Sequence, residues 1–86
     1  MHFLKKNNKY KTLKTIGSYL KYTRMNKNIS INKMSNDLSL NPSTIVSIEN
    51  CKHQALFLNV FMIIEYLEID VDRFYKEIQK EVKLKN

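Results

Sequence analysis

A chain of 86 residues, 43% of them apolar and with a net charge of +7, suffices for one small domain with its own core. Its single cysteine, Cys51, cannot close an internal disulfide, which argues against a disulfide-stapled secreted scaffold and for a reducing cytoplasm. The longest apolar stretch, Leu56–Leu67, is 12 residues interrupted by Asn59 and Glu65, short of the roughly 20 a membrane span requires, and the lysines near the N-terminus have no apolar run behind them.

One glycine and one proline in the whole chain disfavour a turn-rich β fold and suit helices joined by short loops. Charge is segregated along the chain. Met1–Asn36 holds nine basic residues and no acidic one, whereas the remainder holds six basic and eight acidic residues. Such asymmetry points to a polyanionic partner or, in its plainest form, to a solubilising tail.

Residues 1–12 are lysine- and asparagine-rich without a clear period and read as a flexible basic arm, with a short helical piece at Tyr10–Leu13. A helical domain is expected over 13–82, and 83–86 as a basic tail. The first helix spans Leu13–Met25, with Leu13, Ile16, Leu20 and Thr23 on one face and Gly17 inside it. Asn26-Lys27-Asn28 is a loop by composition. Ser30 is an N-cap for a second helix that buries Ile31, Met34, Ser35 and Leu38 and ends near Ser39. Asn41 caps a third helix with Pro42 at its first position, Ile45 and Ile48 inward and an end around Asn50. The fourth, Leu56–Leu67, places Phe57, Val60, Phe61, Ile64 and Leu67 on its core side and is apolar nearly all round. Asp70 caps a fifth, to Val82, with Phe74, Ile78 and Val82 in a row. The expected fold is all-α with five helices.

The middle of the chain carries the functional signal. Two short helices joined by Ser39-Leu40-Asn41 match what a helix-turn-helix needs. Ser35 is small where the helices cross and its hydroxyl is free to bond back to the backbone, Leu40 plugs the core, and Ser39 stands where a left-handed backbone favours glycine. Ile16-Gly17, Ile29 to Ser35 and the run Leu38-Ser39-Leu40-Asn41-Pro42-Ser43-Thr44-Ile45-Val46-Ser47-Ile48-Glu49-Asn50-Cys51-Lys52 resemble the phage-repressor/Cro-type (XRE-like, lambda-repressor-like) helix-turn-helix family. The resemblance continues to Ile69–Tyr75.

It implies a lambda-repressor-like five-helix domain that binds double-stranded DNA as a transcriptional regulator, more often a repressor, of bacterial, phage or plasmid type. By that resemblance Pro42, Ser43, Val46 and Ser47 face base edges. Asn41, Thr44, Asn50 and Lys52 lie near phosphates, as do the amides around Ser30 and Ile31. Glu49 matches a structural glutamate of the family. Ile31 replaces a glutamine common at the start of helix two, and Cys51 replaces a glycine common after helix three. None of Pro42, Ser43, Val46 and Ser47 can make a bidentate base contact, so direct readout is expected to be weak and supplemented by DNA shape and the basic arm.

Surplus apolar surface on the fourth and fifth helices suggests a homodimer, which would set two reading helices one DNA turn apart; packing under the N-terminal arm is the other explanation. The alternative function is a protein-interaction module, such as an antitoxin or antirepressor, with secondary DNA binding. No nucleophile–base pair or phosphate-binding glycine loop suggests an enzyme. Cys51 and His53, with His2 the only other histidine, fall short of a four-ligand zinc site, so no metal or cofactor is expected.

Overall fold

The structure is a computed structural model that describes the backbone of residues 9–50 and 56–84 and the side chains of 14–50 and 56–81. Five helices follow in order: α1 (Lys9–Asn26), α2 (Ile31–Leu38), α3 (Pro42–Asn50), α4 (Phe57–Tyr66) and α5 (Val71–Leu84). The described residues contain no strand, so the architecture is all-α. No helix among them is long and apolar enough to cross a membrane.

Helix α1 starts at Lys9 instead of Leu13 and so takes in the last residues of the expected arm. Nothing between Lys9 and Leu13 breaks a helix, and a polar turn can extend one without a buried face to announce it. For the same reason α5 runs on to Leu84, two residues into the expected tail. Residues 1–8, the rest of the arm, lie outside the described residues, as do 85 and 86 and the side chains of Leu13 and Val82. Further along α1, Gly17 and Leu20 are buried and Ile16 packs on the same cluster.

The core is one cluster of Leu20, Met34, Ile45, Ile48, Ile63, Ile64 and Leu67, drawn from the first four helices and the residue that ends α4. Helix α1 packs against both α3 and α5, while α2 packs against α3 and α4. A satellite cluster seats Ile78 of α5 on Ile16 and Tyr19 of α1, and the Tyr19 and Phe74 rings meet edge to face at 5.0 Å.

Three of the helix ends share one device. After α1, α2 and α4, the residues Asn28, Ser39 and Glu68 take a left-handed backbone, with φ of 58°, 55° and 56°. The amide of the next residue then reaches back five positions: Ile29 to Arg24 O, Leu40 to Ser35 O and Ile69 to Ile64 O. Each of Ile29, Leu40 and Ile69 also packs on the core. This is the Schellman arrangement with its hydrophobic contact, built three times without glycine.

Helix α4 is rotated relative to expectation. Ile63 is fully buried and joins Val60, Ile64 and Leu67 on the core side, whereas Phe57 is 80% and Phe61 43% exposed. Two overlapping apolar stripes run along this helix, and periodicity cannot choose between them. The stripe used is the one with branched aliphatic side chains at i, i+3, i+4 and i+7. Phe57 and Phe61 instead stack on each other outside, with ring centres 5.9 Å apart.

Candidate nucleic-acid interface

Helices α2 and α3 are each locked at their starts, and the two starts are chemically different. Ser30 caps α2 by accepting a hydrogen bond from the Lys33 amide at 3.0 Å. The amides of Ile31 and Asn32 in that first turn have no intrahelical acceptor. At α3, Asn41 Oδ1 accepts from both the Ser43 amide (2.9 Å) and the Ser43 hydroxyl (2.8 Å), and the Asn41 carbonyl accepts from Thr44 and Ile45. Pro42 has no N–H to offer. The start of α3 is therefore closed to an anion, while that of α2 is open. The Asn41 carboxamide, its oxygen engaged in the cap, leaves its NH2 group as a donor.

The connection between them is fixed as tightly. Ser39 closes α2, its amide bonding to Ser35 O, and the Ser35 hydroxyl donates across the turn to the Leu40 carbonyl. Leu40 packs half-buried against the core, as its sequence position suggests. The Ser35 hydroxyl does bond to backbone, but forward to the turn, so that it ties α2 to the residues that follow it.

Beneath α3 lies a buried ion pair. Arg24 grips Glu49 with two parallel hydrogen bonds, Nε to Oε2 at 2.7 Å and Nη2 to Oε1 at 3.0 Å, and its Nη1 donates to the Ile29 carbonyl at 2.8 Å. Side-chain exposures of 9% and 3% remove both groups from water. A planar guanidinium facing a carboxylate in this way fixes angle as well as distance, so α3 is clamped to α1 and to the turn that follows it. Arg24 thus has no charge to spare for a phosphate, although it belongs to the basic half of the sequence.

The outer surface of α3 presents the residues the sequence singles out. Asn41, Pro42, Ser43 and Asn50 are exposed, and Thr44, Val46 and Ser47 are half-buried. Ile45, Ile48 and Glu49 face inward. Ser30 is exposed, but the Ile31 side chain packs against the core, so only its amide remains for a ligand. Lys52 lies outside the described residues, as do Cys51 and His53. Among the described residues no cluster of three or more His, Cys, Asp or Glu side chains is placed to hold a metal.

One local network leaves little trace in the sequence pattern. Asp37 Oδ2 accepts from Lys33 Nζ at 2.9 Å and from the Tyr66 hydroxyl at 2.5 Å, tying α2 to the end of α4. The Tyr66 and Lys33 hydrogen bonds hold the Asp37 carboxyl below the usual carboxylate range, and the bond to Asp37 raises the pKa of Lys33 and of Tyr66. Lys33–Asp37 is a visible i,i+4 pair, but Tyr66 lies 29 residues away and gives no local signal.

A shallow cleft of about 420 Å³ between α1 and α5, lined by Lys14, Ser18, Tyr22, Glu77 and Glu81 among others, shares no residue with the α2–α3 surface. Comparison of the chain with family models, curated proteins and solved structures returns no significant match.

Proposed function

We propose that this chain is a sequence-specific DNA-binding transcriptional regulator, a repressor of bacterial, phage or plasmid type, with α2 and α3 as a helix-turn-helix. In this reading α3 enters the major groove and α2 crosses the backbone. One observation carries it: α3 is held from beneath by the Arg24–Glu49 pair and at its start by Asn41, yet its outer face offers only small side chains, exposed at Pro42 and Ser43 and half-buried at Val46 and Ser47. A helix anchored so firmly, with nothing bulky outside, can approach base edges closely.

The two helix starts divide the labour. The open amides of Ile31 and Asn32, shortly after the exposed Lys27, suit a phosphate. Asn41 adds a second phosphate donor through its NH2 group. At the base edges, Val46 offers a methyl contact for thymine. Ser47 is a versatile hydroxyl, and Ser43, whose proton goes to Asn41, acts as an acceptor. No bidentate pair is offered by this face, so preference comes from several small terms, each weaker than the roughly 1–3 kcal/mol of an arginine–guanine contact.

Fluorescence-anisotropy titration tests the proposal, with a duplex enriched from random sequence by the protein and a scrambled one, at two salt concentrations. The expected result is a preference for the enriched duplex at both salts. Replacing Ser43 and Ser47 together by alanine should erode that preference while leaving scrambled-duplex affinity unchanged. Lys21→Glu with Lys27→Glu should weaken both duplexes about equally and flatten the salt slope, by about one unit for each phosphate that is no longer neutralised. No binding to either duplex at low salt would overturn the reading in favour of a protein-interaction module.

A further inference from the structure

The cap of α3 fixes the polarity of a hydroxyl as well as the start of a helix. Asn41 Oδ1 is met twice by Ser43, by its amide at 2.9 Å and by its hydroxyl at 2.8 Å. A backbone N–H can only donate, so the Asn41 atom it meets is the carbonyl oxygen and not the NH2 group. That oxygen has no proton to give, and the Ser43 hydroxyl must therefore aim its own proton at it. What Ser43, an exposed residue, still presents outward is lone pairs.

We infer that Asn41, without touching a base, makes Ser43 a reader of amino against keto bases. At the base pair Ser43 faces, adenine and cytosine on the contacted strand are accepted alike, and thymine and guanine are disfavoured. This deepens the DNA-binding reading proposed above and rests on it.

The major groove supplies the code. Adenine N6 and cytosine N4 carry amino donors there, whereas thymine O4 and guanine O6 are acceptors. Each Watson–Crick pair joins one base of the first kind to one of the second, so reversing a pair exchanges a donor for an acceptor beneath Ser43. A free serine hydroxyl rotates to suit either and therefore distinguishes neither.

The bond to Asn41 removes that freedom by a simple balance. Accepting from an amino group adds one hydrogen bond to the bond already made. Donating to a keto oxygen only exchanges the Asn41 bond for another. The difference is the net worth of one neutral hydrogen bond, about fivefold in affinity. Such a position differs from an arginine that selects guanine or an asparagine that selects adenine, because it groups adenine with cytosine.

The test takes a duplex enriched from random sequence by the protein, replaces each base pair in turn by the other three, and measures affinity by competition anisotropy. One pair should show adenine and cytosine equivalent and each about fivefold better than thymine or guanine. Ser43→Ala should abolish that ratio. Replacing adenine at that pair by purine, which lacks the N6 amino group, should weaken the wild-type protein about fivefold and the Ser43→Ala variant not at all.

Asn41→Gly separates the inference from a merely structural role for the cap. Glycine is a tolerated N-cap, so α3 keeps its start, as circular dichroism would verify. Loss of the NH2 donor should weaken all duplexes alike, while the released Ser43 hydroxyl should bring the ratio at that pair close to one. Asn41→Asp keeps an acceptor oxygen and should retain the ratio despite weaker overall binding. An Asn41→Gly variant with the full ratio would overturn the inference. So would a sequence-specific wild-type protein with no pair of this pattern, or equal losses to purine with and without the Ser43 hydroxyl. A wild-type protein that prefers no duplex over a scrambled one would instead sink the DNA reading, and this inference with it.

Discussion

Ser39 and Glu68 sit in a left-handed backbone that glycine adopts without penalty and other residues at a cost of about 1–2 kcal/mol. Their side chains form no part of the core, so Ser39→Gly and Glu68→Gly should each stabilise the protein by about 1 kcal/mol, read as a higher urea midpoint at unchanged slope. Asn28 holds the same conformation, but asparagine tolerates it better and Asn28→Gly should gain less. The Arg24–Glu49 pair makes the opposite prediction. Glu49→Ala strands a buried guanidinium and should cost about 3–5 kcal/mol, enough to unfold so small a domain at moderate temperature. Replacing both partners, Arg24→Met with Glu49→Leu, should recover most of that deficit in thermal melts. A double variant as unstable as the single one would mean that the charge itself is needed.

At the scale of helices, α2 is joined to α4 through Asp37 and Tyr66. The Asp37 carboxyl is held below its ordinary pKa, so its contribution to stability is complete above the unfolded value near 3.8 and fades as pH falls through the lower folded value. Tyr66 and Lys33 are shifted upward, so their share is complete below their ordinary values of 10.0 and 10.5 and fades only in strong alkali. Asp37→Asn should flatten the acid limb of the stability curve below about pH 4 and leave the slope at neutral pH unchanged, measured by urea melts across pH. Which elements are legible in the sequence follows a pattern. The start of helix α3 can be read to the residue because Asn41-Pro42 is an unambiguous signal. The beginning of α1 cannot, since Lys9 to Thr12 carry no apolar period. The inward face of α4 cannot either, because its two stripes are equally greasy and the neighbours of α4 make the choice.

For the molecule as a whole, the segregated charge is plain in the sequence, and so is the set of outward residues on α3. The clamp beneath α3 is not. Arg24 and Glu49 lie 25 residues apart, and sequence alone counts Arg24 among the cations of a basic surface. Burial removes it from that surface. Among the described side chains of the first 36 residues, this leaves Lys14, Lys21 and Lys27 as cations outside the ion pairs, with Lys33 shared with Asp37. On the proposed DNA-binding reading, the salt slope should therefore correspond to fewer neutralised phosphates than the nine basic residues in Met1–Asn36 suggest.

The way α3 is fastened leaves its outer positions open to change. Its anchoring falls on Asn41, Ile45, Ile48 and Glu49, so positions 46 and 47 are almost relieved of duty in folding, and position 43 gives up only a hydroxyl bond. Such a helix can be respelled. If α3 reads DNA as proposed, exchange of two or three of these residues for glutamine, arginine or asparagine would redirect the protein to a different target while the scaffold stays as it is.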